Sequence, residues 1–198
     1  MQVSRWSDFF NATKDHPHWP LVEKTVRLLG RTGQALDLGC GAGRDTRYLL
    51  AQGWSVTAVD REPAAIALLA ELPQTHLSVV QSSFEDFAYG HETYDLVSAQ
   101  FALPFIPKMH FTAVFTRIKQ AITPGGMFTG QFFGIHDEWN TPDTDMTFLT
   151  REQIDKLLGD MQIRDITEEN RMGTTAIGGS KRWHIFHVIA QKGTLATE

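Results

Sequence analysis

Ala35-Leu-Asp-Leu-Gly-Cys-Gly-Ala-Gly-Arg-Asp45 is the stretch on which the fold turns. A short apolar run ends in glycines at 39, 41 and 43, and a helical pattern follows over 45–52. Glycine takes backbone angles closed to other residues and lets a ligand lie directly against the main chain. A helix starting behind such a loop offers unpaired N–H groups and the positive end of its dipole. Asp60 ends the next strand, 21 residues after Gly39, where folds of this class meet the two hydroxyls of a ribose. Dinucleotide-binding loops carry G-x-G-x-x-G. Here the spacing is G-x-G-x-G, and Arg44 stands where the third glycine would fall.

Outward from the loop, helical and strand patterns alternate. Residues 20–29 read as a helix: Pro20 suits the first turn, Leu21, Val22, Val26 and Leu29 share a face, and Gly30 suits the position just past the end. The helix over 45–52 is closed by Gly53, and residues 55–59 read as a strand. Another helix opens at Glu62-Pro63 and stops before Pro73. Residues 77–80 and 94–99 are further strands, and 108–122 repeat apolar side chains at helical spacing. Thr123-Pro-Gly-Gly126 then turns the chain into a strand over 127–133. Such alternation predicts βαβ units and a mainly parallel sheet. The end differs, because the strand-like segments 162–169 and 183–191 have only a Gly- and Thr-rich loop between them and should pair antiparallel. The expected fold is α/β: a doubly wound, seven-stranded, mainly parallel sheet with a C-terminal antiparallel hairpin.

The chain has 198 residues, 42% of them apolar and 21% charged, which excludes a disordered or low-complexity protein. One domain over 1–198 is expected, with a helical, aromatic N-terminal strap over 1–30 and a core over 31–192. The net charge of −5 and the lack of any basic stripe speak against nucleic acid as a partner. No apolar stretch reaches membrane-spanning length, and the first residues lack the layout of a signal peptide. A lone cysteine, Cys40, fits a reducing compartment, so a cytoplasmic location is expected. The oligomeric state is left open.

Asp37, two residues before the first glycine, would oppose a pyrophosphate but suits an ammonium group. The ligand described has a ribose and an amino-acid end with no diphosphate, and S-adenosylmethionine has both. Asp37-Leu-Gly-Cys-Gly-Ala-Gly43 with Asp60, Tyr94-Asp-Leu-Val-Ser-Ala-Gln100 and Thr123-Pro-Gly-Gly126 together resemble the ordered motifs of class I S-adenosylmethionine-dependent methyltransferases. The resemblance runs from about residue 20 to 192. Gly43-Arg-Asp-Thr-Arg-Tyr-Leu-Leu-Ala-Gln-Gly-Trp-Ser-Val-Thr-Ala-Val-Asp60 is most similar to the small tellurite-resistance and thiopurine methyltransferases. It implies that Gly39, Cys40, Gly41, Gly43 and Arg44 belong to the cofactor loop, with the three glycines under the methionyl part. It further implies that Asp37 faces the cofactor's amino group, Asp60 the ribose, and Arg61 the adenine edge. Ser83-Phe84 falls where the family often has an acidic adenine contact, and Gln100 should lie near the transferred methyl. The asparagine- and proline-containing tetrapeptide of amino-methylating members is absent, which disfavours an amide or exocyclic base nitrogen as acceptor.

Other features bear on the acceptor. His184 and His187 would point to opposite faces of a strand, and His16-Pro-His18 has no third ligand nearby, so no metal site is expected. Trp6, Phe9, Phe10 and Trp19 make the N-terminus either a packed strap or a lid. The aperiodic loop over 134–145, with His136, Asp137 and Trp139, is either a polar surface loop or a second cover for the acceptor. His136, Trp139 and Trp19 are the candidate acceptor contacts. Cys40 reads as a small buried hydrophobe. No paired acid and base stands out apart from His136 and Asp137, and no catalytic residue is assigned. The acidic charge, the aromatic covers and a chain barely larger than the core lead to a small-molecule acceptor: a thiol, a metalloid oxyanion or another small nucleophile. Two alternatives stay open, a non-catalytic S-adenosylmethionine-binding module and a nicotinamide-dependent oxidoreductase.

Overall fold

Parallel strand pairs need a crossover, and here every crossover helix has an apolar face to lay on the sheet. The computed structural model describes residues 3–176 and 178–194. Residues 1, 2 and 195–198, at the ends of the expected domain, and residue 177 of the expected loop lie outside the described residues. In chain order the elements are α1 (Val3–Thr13), α2 (Pro20–Leu29), β1 (Gln34–Leu38), α3 (Arg44–Ala51), β2 (Ser55–Asp60), α4 (Pro63–Ala70), β3 (Leu77–Gln81) and β4 (Tyr94–Ala99). A 3-10 turn (Leu103–Phe105) leads to α5 (Lys108–Ala121), β5 (Ile122–Gly134), β6 (Phe148–Leu149), α6 (Arg151–Leu158), β7 (Met161–Thr174) and β8 (Ser180–Lys192).

The sheet runs in the order β3-β2-β1-β4-β5-β8-β7. The first five strands pair in parallel, whereas β8 is antiparallel to both β5 and β7. The expected seven-stranded sheet with its terminal hairpin is therefore what the chain forms, and the two-residue β6 adds a short parallel pairing to β5 off that path. Chain order reverses between β1 and β4. Beyond the carboxyl ends of those strands the crossovers diverge and leave a crevice.

Strand periodicity sends neighbouring residues to opposite layers. Ala35 packs with Val22 of α2, Leu49 of α3 and Trp54, while Leu36 packs with Phe111, Phe115 and Ile118 of α5. No helix among the described residues is long and apolar enough to cross a membrane.

Three features depart from the sequence reading. First, α6 was not foreseen, although Thr150 and Gln153 form a capping box at its start. Gln153 N–H donates to Thr150 Oγ1 at 3.2 Å and Thr150 N–H donates to Gln153 Oε1 at 2.8 Å. Second, the hairpin ladder extends to Thr174↔Ser180, so the loop expected over 170–182 shrinks to a turn. Gly178 and Gly179 close that turn at φ 90° and 86°.

Third, the segment after β5 is pinned to the start of β8 rather than free to move as a cover. Buried Asp137 pairs with the buried Lys181 ammonium and accepts the N–H groups of Trp139 at 3.0 Å and His184 at 3.1 Å. Lys181 Nζ lies 3.9 Å from the ring centres of both Trp139 and Trp183. Glu138 adds a 2.8 Å bond from Arg182 N–H. Removing one partner of a buried ion pair strands the other charge, at a cost of about 3–5 kcal/mol. Lys181→Met should lower the unfolding free energy in urea by that amount, and a loss under about 1 kcal/mol would show the pair to be dispensable.

Candidate functional site at the switch point

The turn between β1 and α3 needs its glycines. Gly39, Gly41 and Gly43 have φ of 69°, 51° and 78°. A Cβ on Gly39 would sit 2.5 Å from the Ala102 Cβ, and one on Gly43 would sit 2.9 Å from Leu69 Cδ1. The loop is held from β2: Gly39 N–H and Cys40 N–H both donate to Val59 O, at 2.8 and 3.1 Å. Asp60 completes the tie. Its Oδ2 accepts Gly41 N–H and its Oδ1 accepts Glu62 N–H, each at 2.9 Å. Burial raises the Asp60 carboxyl above its ordinary value, and the two N–H bonds oppose that rise.

A cavity of about 1310 Å³ opens from this loop toward the β7–β8 hairpin. Ordinary ligand pockets measure roughly 300–1,000 Å³, so there is room for two molecules side by side. The loop end is polar, lined by Gly39, Cys40, Gly41 and Arg44, by Asp60 and Arg61 after β2, by Ser83 and Phe84 after β3, and by Gln100 after β4. Beyond the loop the lining mixes the rings of Trp6, Phe101, Phe105, Phe133, Trp139 and Trp183 with polar groups such as Glu138, Thr141, Thr144 and Glu169.

Three expected residues do not line the cavity. Asp37 lies beneath the loop, where Thr46 Oγ1 donates to it at 2.6 Å. Gly43 faces Leu69. His136 stacks on His184 at 5.1 Å, an interaction that holds it on the other side of β8. Its suggested partner Asp137 is spent on Lys181 and two backbone N–H groups, so the two do not form an acid–base pair. Ser83 lines the cavity, but its hydroxyl donates to Asp86 Oδ2 at 2.8 Å and accepts Asp86 N–H at 3.2 Å. Cys40 is buried, and burial with Asp37 and Asp60 nearby pushes its thiol well up, which suits a packing role. His16 lines the cavity whereas His18 stacks on Tyr48 at 3.8 Å, so the two do not converge. Among the described residues no group of three or more His, Cys, Asp or Glu is placed to hold a metal ion.

Several cavity residues were not foreseen. Asp45, rather than Asp37, supplies the carboxylate at the head of α3; its Oδ1 accepts Trp19 N–H at 2.8 Å. That bond seats Trp19 against Arg44, 4.2 Å from its guanidinium, and 4.6 Å from the Phe101 ring. α1 lies over the glycine loop, with Phe10 packed on Ala42 and Ala65 and Trp6 edge-on to Phe105 at 5.3 Å. Phe101 has φ 54°, a strained value for a bulky residue, and Gln131 Oε1 holds it by accepting its N–H at 2.7 Å. The hairpin contributes Glu169, Arg171, Ile185 and His187. Strand register alone brings these last groups together, which a linear reading does not display.

Residues 35–126 match the family described as "Methyltransferase domain". The chain is 30% identical over 95 residues to an uncharacterized methyltransferase of Synechocystis sp., covering 48% of this chain and 44% of that protein. It is 28% identical over 95 residues to the probable S-adenosyl-L-methionine-dependent methyltransferase TehB of Haemophilus influenzae, covering 47% and 33%. The chain thus spans less than half the length of these curated relatives. Among solved structures, the 1,6-didemethyltoxoflavin-N1-methyltransferase of Burkholderia thailandensis, with 1,6-didemethyltoxoflavin and S-adenosylhomocysteine bound, superposes with a TM-score of 0.66. The identity is 23%, over 88% of this chain and 77% of that one.

The floor of the loop titrates. Burial, with Asp45 and Asp60 close by, pushes the Asp37 carboxyl up to about 7, and burial pushes Asp45 up to about 6. A carboxyl raised on folding stabilises the fold fully below its unfolded value, 3.8, and loses that contribution as pH rises through about 7. Asp37→Asn has no proton to lose, so its stability should gain on the wild type between about pH 4 and about pH 7. Urea denaturation at a series of pH values reads this, and a constant or opposite difference would show that Asp37 titrates normally.

Proposed function

We propose that this chain, whose residues 35–126 belong to the methyltransferase-domain family, transfers the methyl group of S-adenosylmethionine to a small-molecule acceptor. The observation that carries the reading is the continuity of one cavity. The glycine loop brings the donors and the carboxylate for a nucleoside with an amino-acid tail, and the same cavity carries rings, Trp139 and Trp183 among them, against which a second molecule would pack. The glycine cradle fits the cofactor, because a side chain at Gly39 or Gly41 would meet Ala102 or Phe10 and close the approach to the backbone.

In this reading the whole chain acts as one catalytic unit, with the strap before residue 30 closing the core over 31–192. Asp60 takes the ribose hydroxyls with the lone pairs that Gly41 and Glu62 leave free. Arg61 and the Phe84 backbone border the adenine, since the Ser83 hydroxyl is already committed to Asp86. Asp45 meets the amino group, with Asp37 buried behind it against Thr46. Gln100 lies next to the methyl group. When bound, S-adenosylmethionine supplies a methyl carbon that is electrophilic because it is attached to a sulfonium. The protein's part is to align the acceptor on that carbon and keep water out. Trp19 and Trp139 do so from opposite sides, while His136 plays no part. Acceptors compatible with the enclosure are small thiols, metalloid oxyanions and other small nucleophiles, in a cytoplasmic setting and without nucleic acid.

Two measurements test this reading. Asp60→Ala removes charge-assisted hydrogen bonds worth about 1.5–3 kcal/mol each, so affinity for S-adenosylhomocysteine should fall about ten- to a thousandfold. An unchanged dissociation constant in a folded variant would remove the ribose assignment. Trp139→Ala should lower kcat/KM for the acceptor about 100-fold through misalignment while cofactor affinity stays unchanged. Equal losses in both quantities would contradict an acceptor-side role.

A further inference from the structure

A row of polar side chains runs across the sheet beside the cavity: Gln100, His187, Glu169 and Arg171 line it, and Gln131 is buried behind them. Gln131 on β5 donates through Nε2 to Gln100 Oε1 at 2.8 Å. The same Nε2 lies 3.5 Å from His187 Nδ1 on β8. His187 Nε2 lies 3.8 Å from Glu169 Oε1 on β7, and Glu169 Oε2 lies 3.2 Å from Arg171. The register places Thr167 opposite His187, which sets Glu169 diagonally beside the ring.

The row bears on the imidazole's tautomer. Gln131 Oε1 accepts Phe101 N–H, so the amide cannot be flipped and its Nε2 must face His187. A Gln131 N–H turned toward Nδ1 and the Glu169 carboxylate beside Nε2 both favour the tautomer with its hydrogen on Nε2. That Nε2 is buried and has no hydrogen-bond partner. At 3.5 Å the Gln131 contact sits at the outer limit of a hydrogen bond and yields to a shorter one from a bound molecule.

We infer that His187, with the Glu169 carboxylate beside its Nε2 to balance the imidazolium, is the base that takes the proton from a protic methyl acceptor. This rests on the methyl-transfer reading above and narrows its acceptor to one bearing X–H at the reacting atom, such as a phenol, enol or neutral thiol. In the step, the X lone pair forms the bond to the methyl carbon and the carbon–sulfur pair stays on sulfur. The proton of X passes to His187 Nδ1, and the imidazolium turns its Nε2–H toward Glu169. Burial lowers the His187 pKa from its ordinary value, so the ring is neutral and ready to accept. Among the described residues, the charged groups facing it are Glu169, Asp165 and Arg171, all on β7, and β5 and the β4 turn present the Gln131 amide and the Phe101 ring. Glu169 and His187 stand 18 residues apart in sequence, which hides the pair from a linear reading.

A matched pair of probes tests the base: a phenol, and an aryl thiol already ionised at the assay pH, each with S-adenosylmethionine and the full chain. His187→Asn should lower the ratio of phenol to thiol methylation by about 10²–10⁴, with Glu169→Gln lowering it less. The phenol rate should show an acidic limb below pH 6.5 that His187→Asn abolishes, because protonated His187 cannot act as base. Equal losses on both probes would reveal a structural role and overturn the inference, as would a wild type that methylates only the ionised thiol. A second readout needs no turnover: nitrogen-15 NMR at neutral pH should show His187 as the Nε2–H tautomer, with that preference weakened in Glu169→Gln. A doubly protonated ring or the Nδ1–H tautomer would also overturn it. Failure of S-adenosylmethionine to bind, with the tautomer as stated, would sink the methyl-transfer reading instead.

Discussion

The site depends on the carboxylate of Asp60. It bridges two backbone N–H groups, that of Gly41 in the loop after β1 and that of Glu62 after its own strand. A loop with three left-handed residues in five has little intrinsic preference for one path, and glycine loses more freedom than any other residue when fixed. Bonds that the loop's N–H groups donate to Val59 O and Asp60 supply the path from outside the loop. The same carboxylate stands on the cavity wall, so the group that shapes the loop is also the group available to a ligand. A ligand engaging it meets a surface already formed.

Around that anchor the two ends of the cavity are built in different ways. The loop end uses backbone groups, which are rigid and carry no side-chain entropy to lose. The aromatic end uses rings held by other interactions: Trp19 by Asp45 and Arg44, Trp139 and Trp183 by the buried Lys181 between them, Phe101 by Gln131. Each ring is fixed before anything binds, which lowers the entropy cost of enclosing a small molecule. Lys181 also spends one face of Trp139 and of Trp183 on a cation that belongs to the protein. The enclosure is correspondingly less suited to a second cation.

The sheet was legible because local rules govern it. Period-two apolar runs, helix stops at Gly30, Gly53 and Pro73, and the helix-free approach to β8 each depend on neighbours in sequence, and together they imply a mainly parallel sheet ending in an antiparallel hairpin. The glycine loop with Asp60 was legible for the same reason. α6 escaped notice although Thr150-Arg-Glu-Gln153 is a recognisable helix start, and that signal was in plain view. The rest depended on tertiary register. Asp37 and Asp45 both sit near the loop, and only the packing of Thr46 beneath it decides which carboxylate reaches the cavity. His136 looked like a site residue because its loop leaves β5 on the cavity side, yet the Asp137–Lys181 pair turns that loop onto β8. His187 and Glu169 become neighbours only through the β7–β8 ladder.

The central claim is that the crevice beyond β1 and β4 is a pocket for S-adenosylmethionine. Calorimetric titration of the full chain with S-adenosylmethionine, S-adenosylhomocysteine and NAD tests it most directly. The account predicts saturable one-to-one binding of the first two and none of NAD, because the loop has Arg44 in place of the glycine a pyrophosphate needs and carboxylates at its floor. Binding of NAD, or no heat with either adenosyl ligand, would contradict it.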